Sequence, residues 1–171
     1  MKAELLTLRL IHIFGAIFWV GSLMFTSFFL VPVIRSSPAV AGQVMTGLQK
    51  RRLFTLLPIV AFLTIASGLR LLAIASAGFS GAYFSTSTGR TFATSAVAAT
   101  IAFLLSVFIS RPGFVRIGQL GASLATTTDE GARQRITAQM QQLNRRVTIS
   151  NGVVVVFLLS AAAGMAIARY V

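Results

Sequence analysis

A single histidine, His12, lies about two turns into the first of four long apolar stretches. It falls within Leu5-Leu6-Thr7-Leu8-Arg9-Leu10-Ile11-His12-Ile13-Phe14-Gly15-Ala16-Ile17-Phe18-Trp19-Val20-Gly21. An ionisable side chain in a membrane-length apolar segment is costly to bury, which marks it as a candidate for function. If the stretches cross a membrane in alternating directions, His12 lies ~10 Å below the start of the first, at about 1.5 Å per residue. On the same measure Arg70 lies ~9 Å below the outer end of the second, and Met165 ~7 Å below that of the fourth. Arg9, Arg90 and Arg169 lie nearer that surface, where Glu4 is the one carboxylate. The planar fork of arginine suits carboxylate and phosphate. A haem brings two propionates and an iron that takes an axial imidazole, with methionine a common second ligand. These residue types in one layer predict a b-type haem in the outer half: His12 as axial ligand, Met165 as the second, and Arg70, Arg90 and Arg9 toward the propionates.

Plainer roles compete for each residue. His12 can hydrogen-bond a neighbouring helix, Arg9, Arg90 and Arg169 can reach lipid headgroups, and Met165 can serve as packing. Trp19 reads most simply as a packed aromatic. Other chemistries lack their residues. There is no cysteine, which removes disulfides, thiolate metal sites and cysteine nucleophiles. One histidine cannot give a bis-histidine haem within one chain, although a symmetric dimer supplies a second imidazole. No ligand set for zinc is present, and Met24, Met45, Met140 and Met165 are too scattered for thioether copper. The apolar stretches carry no Asp or Glu, which weighs against proton pumping and cation transport. Gly-rich phosphate loops and serine-nucleophile motifs are absent.

The elements that must position these residues follow from composition. The chain has 171 residues, 56% hydrophobic and 11% charged, with a mean hydropathy of +0.84; a soluble domain needs far more charge to cover its surface. Four stretches, near 5–33, 53–78, 92–110 and 152–170, are long enough to cross roughly 30 Å of hydrocarbon. The expected fold is all-α: a single polytopic membrane domain over 1–171, a four-transmembrane-helix bundle with short cytoplasmic amphipathic helices. The first stretch is too long for a cleaved signal peptide and ends in Val31-Pro32-Val33-Ile34-Arg35 rather than a small-residue cleavage site.

Net charge is +12, yet the basic residues gather at segment ends, which points to anionic lipid headgroups and not to nucleic acid. Arg35, Lys50, Arg51 and Arg52 lie between the first two segments, and Arg111, Arg116, Arg133, Arg135, Arg145 and Arg146 between the last two. The positive-inside rule then places both loops in the cytoplasm of a bacterial inner membrane, with the N and C termini outside.

Between these segments, Ser37 reads as an N-cap with Pro38 at the first helical position of a short helix. Tyr83 and Phe84 read as interface anchors in the outer loop. Pro112-Gly113 is expected to interrupt the third helix. Thr128-Asp129-Glu130 resembles a new helix start, followed by Ala132, Ile136, Met140 and Leu143 on one face, packed on the membrane or on the neighbouring extension. Small residues four apart permit close helix packing: Ser160, Gly164 and Ala168; Ala98, Ala102 and Ser106; Thr64 and Gly68.

The chain resembles a bacterial group of small four-helix membrane proteins that includes CopD-type copper-resistance domains and HemJ-type protoporphyrinogen oxidases. The likeness rests on His12-Ile13-Phe14-Gly15-Ala16-Ile17-Phe18-Trp19-Val20-Gly21, on Arg51-Arg52-Leu53 leading to Pro58, Thr64, Ser67 and Gly68, and on Arg90 where HemJ-type proteins carry a lysine. The resemblance implies haem b held by His12, Arg52 as the family's basic position, and porphyrinogen oxidation in the HemJ branch. The chain departs from that branch at Ser85-Thr86-Ser87-Thr88-Gly89-Arg90, where a Trp-x-x-x-Lys-like stretch is expected. Three function classes stay open: a haem-binding protein of this group, an accessory or structural subunit of a larger respiratory or photosynthetic membrane complex, and a metal or small-anion transporter. A homodimer or larger membrane complex fits the first two.

Overall fold

The computed structural model describes residues 2–36 and 38–171. Helix α1 (Lys2–Phe25) passes through a wide π-helical turn (Thr26–Leu30) into α2 (Val31–Ser36). Helix α3 (Pro38–Lys50) begins at the expected proline; the expected Ser37 cap lies outside the described residues. The chain reverses at Arg52, whose φ of 57° is left-handed, and enters α4 (Leu53–Ala75). A short α5 (Gly81–Phe84) precedes α6 (Ser87–Leu105), a second π-helical turn (Ser106–Ser110), α7 (Arg111–Thr126) and α8 (Glu130–Ile167). All regular structure among the described residues is helical, and four helices are long and apolar enough to cross a membrane.

Two sequence expectations are corrected. Pro112-Gly113 does not interrupt the third helix, which runs unbroken over Ser87–Thr126 for 40 residues. Proline lacks an N–H and crowds the carbonyl four residues back, and the π turn just ahead of it widens the backbone there. Arg111 N–H reaches back five residues to the Ser106 carbonyl. The amphipathic stretch after Thr128 is likewise no separate helix: it forms the first half of the 38-residue α8, whose N-cap is Asp129, its carboxylate accepting from Ala132 N–H at 2.7 Å. It packs along α7, where Val147 fills the space above Gly113. The first π turn repeats the second. Val31 N–H reaches Thr26 O, and each turn ends two residues before a proline, Pro32 and Pro112, at positions 80 residues apart.

The bundle consists of two close hairpins, α1–α4 and α6–α8, which touch each other more sparsely than their own helices do. Small residues set the close approach, as in apolar surroundings where van der Waals fit drives helix association. Thr64 occupies the space over Gly15 in the first hairpin, and Ser95 occupies that over Gly164 in the second. Ala102 and Ala168 are fully buried, whereas Ser160 of the expected stripe is exposed. Trp19, Ala61, Ala102, Val154 and Leu158 form the core between the hairpins. Outward-facing Phe14, Ile17, Phe28, Phe62, Val97 and Phe108 are all more than half exposed, an apolar belt far beyond what a soluble monomer shows. At the end that carries both termini, Phe79 stacks on Phe84 at 6.4 Å and Tyr83 meets Phe84 edge-on at 5.5 Å.

Candidate functional site

His12 sits on the inner face of α1, at the level where α4 offers Gly68. A β-carbon on Gly68 would stand 2.6 Å from Cε1 of the imidazole, so the missing side chain is what lets the ring lie against α4. There His12 Nδ1 is 2.8 Å from the carbonyl oxygen of Thr64. A carbonyl only accepts, so Nδ1 carries the proton and donates. In the neutral ring Nε2 then keeps its lone pair, the arrangement found where a second contact fixes the tautomer of a metal-binding histidine. Nε2 has no hydrogen-bond partner among the described residues, and no buried polar side-chain atom among them is sealed off without one. The nitrogen therefore opens onto space.

His12 also lines a cavity of about 60 Å³ between the two hairpins. Its walls come from all four long helices and include six small residues, Ala16, Gly68, Ala96, Ala99, Ala161 and Ala162. Met165 of α8 lines it too. The structure thus brings His12 and Met165 to one cavity across 153 residues of chain.

The arginines divide. Arg70 is engaged by Glu4, its Nε and one terminal nitrogen 3.1 and 2.7 Å from the same carboxylate oxygen. Arg9 and Arg90 are exposed at the same end, with no side-chain partner among the described residues. Trp19, read as a packed aromatic, is buried and meets Phe103 edge-on at 6.4 Å.

No family of known proteins, curated protein or solved structure matches the chain.

The chemistry must therefore be argued from the donors present. No group of three or more His, Cys, Asp or Glu exists among the described residues, so a bare metal ion would lack ligands. A metal that arrives with its equatorial positions already filled needs one or two axial donors only, and an imidazole with a thioether meets that requirement. Imidazole and thioether are donor types that haem iron takes. The volume is small: about 60 Å³ against the roughly 300–1,000 Å³ of small-molecule sites. Admitting a macrocycle therefore requires the hairpins to part at this level, where their mutual contacts are sparse.

Sequence reading missed a second set of polar residues toward the other end. Asn151 of α8, 6% exposed, donates from Nδ2 to Ser27 Oγ in the first π turn at 2.6 Å. Beside it the hydroxyls of Ser150 and Ser110, the latter in the second π turn, meet at 3.2 Å. The available signal was an asparagine at the edge of an apolar stretch together with prolines at matching positions in the first and third helices.

Proposed function

We propose that this is a multi-pass protein of a bacterial inner membrane, with both termini outside, that binds haem b between its hairpins and serves in electron transfer. His12, through Nε2, and Met165 would hold the haem iron. The observation that carries the reading is the bond from His12 Nδ1 to the Thr64 carbonyl at 2.8 Å, which leaves the other ring nitrogen unpaired on a histidine that lines the same cavity as Met165. Bound haem would supply a one-electron redox centre there. Thr64 holds the imidazole, the alanine walls keep the surroundings apolar, and Arg9 and Arg90 stand nearest to free cations for the propionates. Arg70 contributes through whatever donor its pairing with Glu4 leaves over. The resemblance to the CopD- and HemJ-type group agrees with a first-helix histidine in this role, and the basic loops agree with contact to anionic headgroups on the cytoplasmic face.

The test is an absorption spectrum of the protein purified in mild detergent, before and after dithionite. A Soret band with sharp reduced α and β bands, lost in His12→Ala and shifted in Met165→Leu, is the expected result. A preparation that stays colourless after haem is added overturns the assignment.

A further inference from the structure

A second cavity, of about 80 Å³, lies at the other half of the bundle. It runs from Trp19 in the middle of the bundle to Arg111 and Phe114, where α7 leaves it, and the two cavities share one wall residue, Trp19. Four aromatic residues, Trp19, Phe54, Phe103 and Phe114, are among its lining. Both π-helical turns border it, through Thr26 and Leu30 on one side and Ser106 and Ser110 on the other. π turns within α-helices occur often at functional sites.

Asn151 gives the cavity a polar centre. One N–H goes to Ser27 Oγ, while its carbonyl oxygen and second N–H have no partner among the described residues. Because no sealed-off polar side-chain atom lacks a partner, the free end of this buried amide faces the cavity it lines. An unpaired amide in such a place costs free energy on the order of 1–3 kcal/mol unless something meets it. Arg111 is the one charged group at the lining, and its Nε is already given to the Phe54 carbonyl at 3.0 Å.

We propose that this cavity binds a membrane-soluble quinone. A flat uncharged ring suits the aromatic walls, and its carbonyl or hydroxyl oxygens suit an amide that offers both an N–H and an acceptor oxygen. Its apolar tail would run along the apolar lining, past Met45, Leu48 and Leu53. As it stands the void is about half the roughly 150 Å³ that holds a benzene ring in an engineered apolar cavity, so the ring enters only as the lining side chains give way. The site is separate from the His12 cavity and its assignment does not depend on haem.

The experiment is photolabelling of the full-length protein in membranes with an azido-substituted benzoquinone carrying a decyl side chain, followed by mass mapping of labelled peptides. Saturable label confined to 45–61 and 103–114, displaced by excess unlabelled decyl-benzoquinone, is expected. Asn151→Leu should need at least tenfold more unlabelled quinone for the same displacement, and Ala61→Leu, which fills the cavity without touching the amide, should do the same. His12→Ala should label like the parent chain, so loss of haem and loss of this site are told apart. Three results overturn the proposal: label spread over outward residues such as Phe14 and Phe108 without competition, both variants competing like the parent, or displacement by oleate in place of quinone, which would assign the cavity to an anionic lipid at Arg111.

Discussion

Gly68 has no side chain where the ring of His12 lies: a β-carbon there would stand 2.6 Å from Cε1 and 2.9 Å from Nδ1. The glycine and the histidine are therefore one unit. The first makes the space in which the second can reach the Thr64 carbonyl.

It follows that Gly68→Ala should dislodge the imidazole without removing it. The overpacking should cost about 1–3 kcal/mol of stability, and the ring should lose its bond to Thr64. The expected outcome is a folded protein with lowered thermal midpoint and a haem spectrum weakened or shifted as in His12→Ala. A Gly68→Ala protein with the parent spectrum would show that ring position at this contact does not govern ligation.

Trp19 separates the two cavities and carries much of the core between the hairpins. Trp19→Ala should join the cavities and destabilise by about 3–5 kcal/mol, the usual range for losing a buried large aromatic. Chemical unfolding in detergent measures this. A loss below about 1 kcal/mol would mean that the hairpins close over the gap.

Glu4 and Arg70 tie the start of α1 to the outer part of α4, but the side chains are 43% and 56% exposed. Exposed pairs contribute little, typically under about 1 kcal/mol. Glu4→Gln should therefore change the thermal midpoint by no more than a few degrees while freeing the whole Arg70 guanidinium. If Arg70 then joins Arg9 and Arg90 at the propionates, haem affinity should rise in Glu4→Gln and fall in the Glu4→Gln, Arg70→Ala double variant.

The chain has no cysteine, so topology can be read with single introduced thiols. Ala82→Cys, exposed on the short α5, should react with a membrane-impermeant maleimide in intact cells. Gln141→Cys, exposed on the first half of α8, should react only after permeabilisation. The reverse pattern would place the termini in the cytoplasm and the His12 cavity in the inner leaflet.

The four long helices, the helix start near Thr128-Asp129-Glu130 and the packing of Trp19 were legible because each has a local signature: an apolar run, a polar residue ahead of acids in a first turn, a large aromatic inside an apolar segment. The unbroken passage of the third helix through Pro112 was not, since the compensating π turn is a backbone adjustment with no side-chain code. Arg70 looked like a free cation because its partner, Glu4, stands 66 residues away. Placing His12 and Met165 in one layer needed only depth counting. That they line one cavity depends on the alanines of α6 and α8, which a sequence presents as ordinary helix formers. Asn151 escaped notice because it lies one residue before the expected fourth segment, and its value as a site comes from the π turns it meets.

The two π turns, each two residues ahead of a proline and 80 positions apart, give the first long helix of each hairpin the same backbone device. At that same offset the counterpart of His12 is Phe92. Two identical hairpins set face to face would offer an imidazole from each side; here one half keeps the imidazole while the other presents Met165 in a setting of alanines. The same backbone device thus serves both hairpins, while the imidazole stands in only one of them.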